Sequence, residues 1–238
     1  MLVINNGKVW RNGALQEINV FIEDGKIKDL YSAGKKVTDS FPIVDASNCY
    51  VFPGGVDIHA HIQDGAETFF YGSSSAVKGG ITTVLDMPPF KTVTNRKQCE
   101  QRIQWGEDEC VSDFGLTGGI IIDLDDLKNL DEIRGCGVRQ FKLFMLSNPP
   151  VEVLWRSVQF AAKSGLRLVV HMEEPALLKE VDWNDPLGFT KANPPEAENT
   201  AAAHMLEMAR AAGAPIHVCH VSSARTAELI DQYKGWGT

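Results

Sequence analysis

The residues of this chain best suited to chemistry are four histidines and one lysine, each set in an apolar stretch. In Asp57-Ile58-His59-Ala60-His61 the two imidazoles alternate along an apolar run that follows Pro53-Gly54-Gly55. On a strand, His59 and His61 point to one face a single pleat apart, close enough to share a metal ion, with Asp57 on the same face. Neutral imidazole is the commonest metal ligand, and a nearby carboxylate can orient it. Two hydrogen-bonded histidines at a strand end are the alternative reading. Lys142 lies in Gln140-Phe141-Lys142-Leu143-Phe144-Met145, a stretch apolar enough to be buried on both faces. A charged amine is costly there unless it pairs, reaches solvent or loses its proton. A neutral amine can take up carbon dioxide and become an anionic oxygen ligand able to bridge two metals. His171 ends Leu168-Val169-Val170-His171, and His220 lies in Ile216-His217-Val218-Cys219-His220-Val221-Ser222. His217 and His220 differ in parity along such a strand, which makes His220, nearer its end, the ligand candidate and His217 a packing residue. His204, inside an Ala-rich helical stretch, reads as a surface or packing residue.

The elements that must position these groups fall into two patterns. Residues 1–52 read as short strands, with Asn6-Gly7, Asn12-Gly13 and Asp24-Gly25 as tight hairpin turns. Beyond them come six apolar strands, Val56–Ile62, Thr82–Met87, Phe114–Ile120, Gln140–Met145, Arg167–Met172 and Ile216–Ser222. Helical stretches separate them, among them Val151–Ser164, with Val151, Leu154, Val158 and Ala161/Ala162 on its apolar face, Glu196–Ala212 and Ala224–Tyr233. This alternation is that of βαβ units, two short of a closed (β/α)₈ barrel. An open six-strand parallel sheet fits the same count.

The chain has 238 residues, 44% hydrophobic and 23% charged, which excludes disordered, collagen-like and coiled-coil classes. With 23 basic against 31 acidic residues the net charge is −8, a balance that disfavours nucleic acid and anionic membranes as partners. The five cysteines are scattered without a C-x-x-C pair, and no apolar run approaches the length of a membrane span, so the expected location is the cytoplasm.

Taken together, Phe52-Pro53-Gly54-Gly55-Val56-Asp57-Ile58-His59-Ala60-His61, Gly79-Gly80-Ile81-Thr82-Thr83-Val84-Leu85-Asp86-Met87-Pro88, Phe141-Lys142-Leu143-Phe144, Val170-His171-Met172-Glu173 and His217-Val218-Cys219-His220-Val221-Ser222-Ser223 resemble the cyclic amidohydrolases of the amidohydrolase superfamily: dihydroorotase, allantoinase, hydantoinase and dihydropyrimidinase. The resemblance implies an α/β fold, an incomplete (β/α)₈ TIM-type barrel of about six βα units over residues 53–238. Residues 1–52 would be the N-terminal part of a small composite β-sandwich domain. It further implies two divalent metals, usually zinc, with His59 and His61 on one, His171 and His220 on the other, and carboxylated Lys142 bridging them. A hydroxide held between the metals would open a small cyclic amide or ureide. The proton-shuttling aspartate of such enzymes ends strand eight, beyond Thr238, so no catalytic acid or base is visible and the chain reads as an inactive N-terminal fragment. The resemblance also implies a homo-oligomer, a dimer or tetramer.

Three positions bear on the substrate. Dihydroorotases usually carry an Arg two residues after the second His and an Asn after Met-Pro, where this chain has Gln63 and Pro89. Hydantoinases and dihydropyrimidinases usually carry a Tyr five residues after the bridging Lys, where this chain has Ser147. An allantoinase-like reaction on an uncharged ureide is therefore expected, with Gln63 and Ser147 as substrate-binding candidates. The loop Asn193-Pro194-Pro195-Glu196-Ala197-Glu198 reads as the start of a helix with acids in its first turn. The competing reading is a noncatalytic dihydropyrimidinase-like scaffold, in which metal ligands are lost; here all five ligand positions are filled.

Overall fold

The computed structural model describes residues 1–32, 41–89 and 92–235. The chain divides into two compact units, Met1–Gly55 and Val56–Thr238. The first is all-β, built from β1 (Leu2–Asn5), β2 (Lys8–Arg11), β3 (Ala14–Glu23), β4 (Lys26–Ser32), β5 (Ile43–Asp45) and β6 (Tyr50–Val51). Its strand order is β5-β1-β3-β2-β6, with β4 added to β3. Asn12-Gly13 and Asp24-Gly25 form the expected two-residue hairpins, both residues of each at positive φ (51° and 78°, 50° and 71°). Asn6-Gly7 does not. Strands β1 and β2 run the same way, both antiparallel to β3, along successive stretches of it (Val20–Ile22 and Ala14–Glu17), with the register shifted by one residue across Asn6-Gly7, which is an irregularity between them and not a turn. Gly7 is required there by close approach, since a Cβ would sit 2.6 Å from Val51 Cγ2.

The second unit is α/β, an incomplete TIM-type barrel of six βα units. Its elements are β7 (Gly55–Ala60), α1 (Phe69–Lys78), β8 (Ile81–Asp86), α2 (Arg96–Glu109), β9 (Asp113–Leu116), β10 (Gly118–Ile121), α3 (Leu130–Gly135), β11 (Gln140–Phe144), α4 (Val151–Ser164), β12 (Arg167–His171), α5 (Gly188–Ala192), α6 (Pro195–Ala212), β13 (Ile216–Val218) and α7 (Ala224–Tyr233). Sheet order follows chain order, β7-β8-β9 and then β10-β11-β12-β13, and the ladders β8–β9, β10–β11, β11–β12 and β12–β13 are parallel. The third strand, expected unbroken, is split at Thr117, whose N–H to Asp86 O, at 2.9 Å, is the last bond of the β8–β9 ladder before β10 pairs with β11. The sixth is shorter than expected and stops at Val218, which leaves His220 in a bend beyond it.

Strand alternation separates two apolar populations. Phe141, Leu143, Leu168, Val170 and Ile216 join the large core that also contains Leu154 and Val158 of α4 and Met205 and Leu206 of α6. The residues between them, Val169 on β12 and Cys219 after β13, form a separate small cluster with Met87. Lys142 lies on that second face and is 4% exposed, so it does not reach solvent as a strand-end lysine would. Helix α4 has the expected bounds, but Val151 is 60% exposed and the buried stripe is Val153, Leu154, Val158 and Ala161.

One buried ion pair ties the start of the barrel together. Arg102 on α2 donates through Nε to Asp86 at the end of β8, at 2.5 Å, and through Nη2 to the backbone carbonyl of Gln63, at 3.0 Å. Both side chains are almost fully buried, and Asp86 Oδ1 has no hydrogen-bond partner among the described residues. Removing one member strands the other charge without water. Arg102→Met is therefore expected to cost about 3–5 kcal/mol in a denaturant titration, with much of the loss recovered in the double variant Arg102→Met/Asp86→Leu. A loss under about 1 kcal/mol for the single variant would show that the pair is dispensable.

Candidate metal centre

Four strands and the turns after them carry the site. His59 is on β7 and His61 just past it, Lys142 is central in β11, His171 ends β12, and His220 follows β13 by two residues. Ring centroids of His59 and His61 are 5.5 Å apart, those of His59 and His220 5.6 Å, and those of His171 and His220 4.5 Å. His171 Nδ1 is 3.0 Å from His220 Nε2, and His171 Nε2 is 2.6 Å from Glu173 Oε2. Lys142 Nζ donates to Cys219 Sγ at 3.3 Å. His220 adopts φ +31°, in the left-handed region that non-glycine residues rarely occupy.

Burial sets the protonation of this cluster. It pushes His59 down to about 4, helped by the charge of Lys142 and by His61, His220 and His217. Burial also lowers His171, against the opposing pull of the Glu173 carboxylate. His220 is lowered by burial and then by His171 and Lys142, and Lys142 itself is lowered by burial despite its bond to Cys219. The result is a group of neutral imidazoles around an amine displaced toward neutrality.

Other expected residues take different positions. Asp57 does not orient an imidazole; its Oδ1 accepts the backbone N–H of His59 at 3.0 Å. The carboxylates that do engage rings are Glu173, two residues beyond His171, and Asp64, whose Oδ2 is 3.4 Å from His61 Nδ1, spacings visible in the sequence but without a mark of their role. Gln63 Oε1 accepts the Phe69 N–H at 2.9 Å and so is committed to the start of α1. Ser147 is exposed in the 3₁₀ turn after β11. His204 is half-buried on α6. His217 lies on β13, lowered by burial and by Arg167.

Glu198 is the residue whose position departs furthest from the sequence reading. It does not serve its own helix: Oε2 accepts Ser222 N–H at 3.0 Å and Ser222 Oγ at 2.5 Å, and Oε1 accepts Ser223 N–H at 3.1 Å. Burial pushes its carboxyl up, but the hydrogen bonds from Ser222, Thr226 and Ser223 outweigh burial and hold it below the usual carboxylate range.

Among the described residues, no group of three or more His, Cys, Asp or Glu side chains is disposed to hold a metal ion. Of the expected ligands, His171 is hydrogen-bonded to His220 and Glu173, and Lys142 to Cys219. The donor types nevertheless suit a divalent cation, since unprotonated imidazole nitrogens are what such an ion binds.

A barrel of βα units with histidines gathered at its rim is a TIM-type fold that carries a candidate metal centre. No family model matches the chain. It is 30% identical over 233 residues to a dihydroorotase of Methanothermobacter thermautotrophicus, covering 93% of this chain and 52% of that protein. It is 28% identical over 261 residues to an allantoinase of Escherichia coli O1:K1 / APEC, covering 99% and 56%. The solved L-hydantoinase (dihydropyrimidinase) from Arthrobacter aurescens superimposes with a TM-score of 0.87 at 25% identity, over 99% of this chain and 56% of that one. The chain belongs with the cyclic amidohydrolases of the amidohydrolase superfamily, and it spans about half the length of the curated relatives it matches.

The depressed His59 value has a pH consequence. Between 6.5 and about 4 the unfolded chain protonates this ring while the folded chain does not, so folding binds fewer protons and native stability falls as pH drops through that window. In chelator-treated protein, denaturant midpoints taken from pH 7 to pH 4 should decline more steeply for the wild type than for His59→Asn. Equal slopes would mean that the ring is solvated.

Proposed function

We propose that the protein carrying this chain hydrolyses the C–N bond of a small cyclic amide, with an uncharged ureide of the allantoin type as its substrate. The observation that carries the reading is the rim cluster of unprotonated His59, His171 and His220 around the buried Lys142 amine. In this reading His59 and His61 would hold one divalent cation and His171 and His220 a second, with carboxylated Lys142 as the ligand shared between them and zinc the expected metal. When bound, such a pair supplies Lewis-acid polarisation of the ring carbonyl and a water-derived nucleophile at neutral pH. The chain's own residues supply the rest: Glu173 would fix the direction of the His171 ring, and burial around Lys142 lowers its amine toward the neutral form. The strand-eight aspartate that would move the proton to the leaving nitrogen belongs, in this reading, to the part of the relatives that this chain does not cover.

An uncharged substrate is supported by Gln63, which brings no cation to clamp a carboxylate and whose amide oxygen is already bonded to Phe69. A dihydroorotase is the second reading, favoured by the 30% identity to the archaeal enzyme of that name. We place the reaction in the cytoplasm, which accords with the five free cysteines, and take the assembly to be a dimer or tetramer of identical chains. Among the described residues no helix is long and apolar enough to cross a membrane.

Metal analysis and a substrate panel test this at full reading-frame length. The expected result is about two equivalents of zinc and turnover of allantoin ahead of hydantoin, dihydrouracil and dihydroorotate. Preference for dihydroorotate would establish the second reading, and a protein that binds no metal would be a scaffold. Lys142→Gln is expected to lose the metal pair and more than about 100-fold in kcat/KM while keeping its fold.

A further inference from the structure

We infer that Glu198 is a positioning residue that fixes His220 at the rim by anchoring Ser222 and Ser223; this rests on the reading of His220 as a ligand. The segment it holds has little else to define it. The ladder of β13 ends at Val218, and Cys219 N–H to Val170 O, at 3.1 Å, is its last bond to the neighbouring strand. His220 comes next with φ +31°, a conformation that persists only where its surroundings impose it. Two residues later the chain is caught: Glu198 takes the Ser222 N–H, the Ser222 hydroxyl and the Ser223 N–H. The adjacent Asn199 adds a second hold, its Oδ1 accepting Ser223 Oγ at 2.6 Å and Thr226 Oγ1 at 3.1 Å. With both ends secured, the His220 ring stands 3.0 Å from His171 Nδ1.

The chemistry of the anchor argues for this role over simple packing. Glu198 is 8% exposed, whereas Glu196, on the same first turns of α6, is exposed. Burying a carboxylate is costly, and an apolar side chain of that size would serve packing better. Its named partners are all donors and all come from the segment after His220. A glutamine would place an NH₂ group against one of those donors; an aspartate would keep the charge but shorten the reach by one methylene.

The test compares Glu198→Gln, Glu198→Asp and Ser222→Ala with the wild-type protein. Three readouts apply: amide exchange at Ser222 and Ser223, the ring-nitrogen resonances of His171 and His220 in metal-free protein, and titration with cobalt(II). Glu198→Gln should melt near the wild type, exchange at least about 10-fold faster at both serines, shift the His220 ring signals and bind cobalt about 10- to 100-fold more weakly. Glu198→Asp should recover part of each loss. Ser222→Ala, which removes only the hydroxyl bond, should change all three in the same direction by less, and it carries the test if Glu198→Gln does not fold. Unchanged ring signals, exchange and cobalt affinity in these variants would overturn the inference. If the wild type takes up no cobalt, the metal reading fails, and the exchange and ring signals alone decide the role of Glu198.

Discussion

The desolvation of Lys142 is the constraint on which the barrel interior depends. Its strand neighbours Phe141 and Leu143 belong to the large core beneath the helices, so alternation forces the amine to the opposite face. There its hydrogen-bond partner is a thiol, Cys219, which is a weak acceptor. A full charge in that place is expensive, and the charge that remains lowers His59, His171, His217 and His220. The same lysine that is hardest to bury is thus a reason that the neighbouring rings stay unprotonated.

Backbone geometry gives way to this arrangement. Strand β10 lies against β11 with Gly119 beside Lys142, at φ +109°, where a Cβ would come within 2.8 Å of the Lys142 carbonyl oxygen. A larger residue would push the third strand away from the one that carries the amine. The split of that strand at Thr117 belongs to the same region, since Thr117 bonds back to Asp86 and its hydroxyl accepts from Gln140, the residue two before Lys142.

What the sequence made legible was whatever is decided locally. The bounds of α4 and α7 follow from periodicity and flanking residues, and the Asn12-Gly13 and Asp24-Gly25 hairpins follow from turn chemistry. The rim histidines were legible because strand ends and imidazoles are both visible in sequence. Asn6-Gly7 misled because the same dipeptide serves a hairpin or an irregularity within an extended run, and only the pairing of both β1 and β2 antiparallel to β3 decides which. The early end of β13 and the commitment of Gln63 to α1 depend on partners 6 to 24 residues away, which no local pattern announces. Glu198 is the clearest instance. Pro195 and the acids after it look like an ordinary helix start, and nothing in their spacing shows that one carboxylate is turned across to another element.

Two rim segments are therefore held by the same physical device with opposite signs. Past β7, the backbone carbonyl of Gln63 is caught by the Arg102 guanidinium of α2; past β13, the N–H groups of Ser222 and Ser223 are caught by the Glu198 carboxylate of α6. Each segment has left its sheet ladder, so its polar backbone groups need partners or water. A neutral hydrogen bond would satisfy them, but a buried charge with several donors or acceptors in fixed directions specifies one geometry over its neighbours. Since a buried charge is a poor source of net stability, its presence at both places is better accounted for by the single backbone geometry that it specifies there.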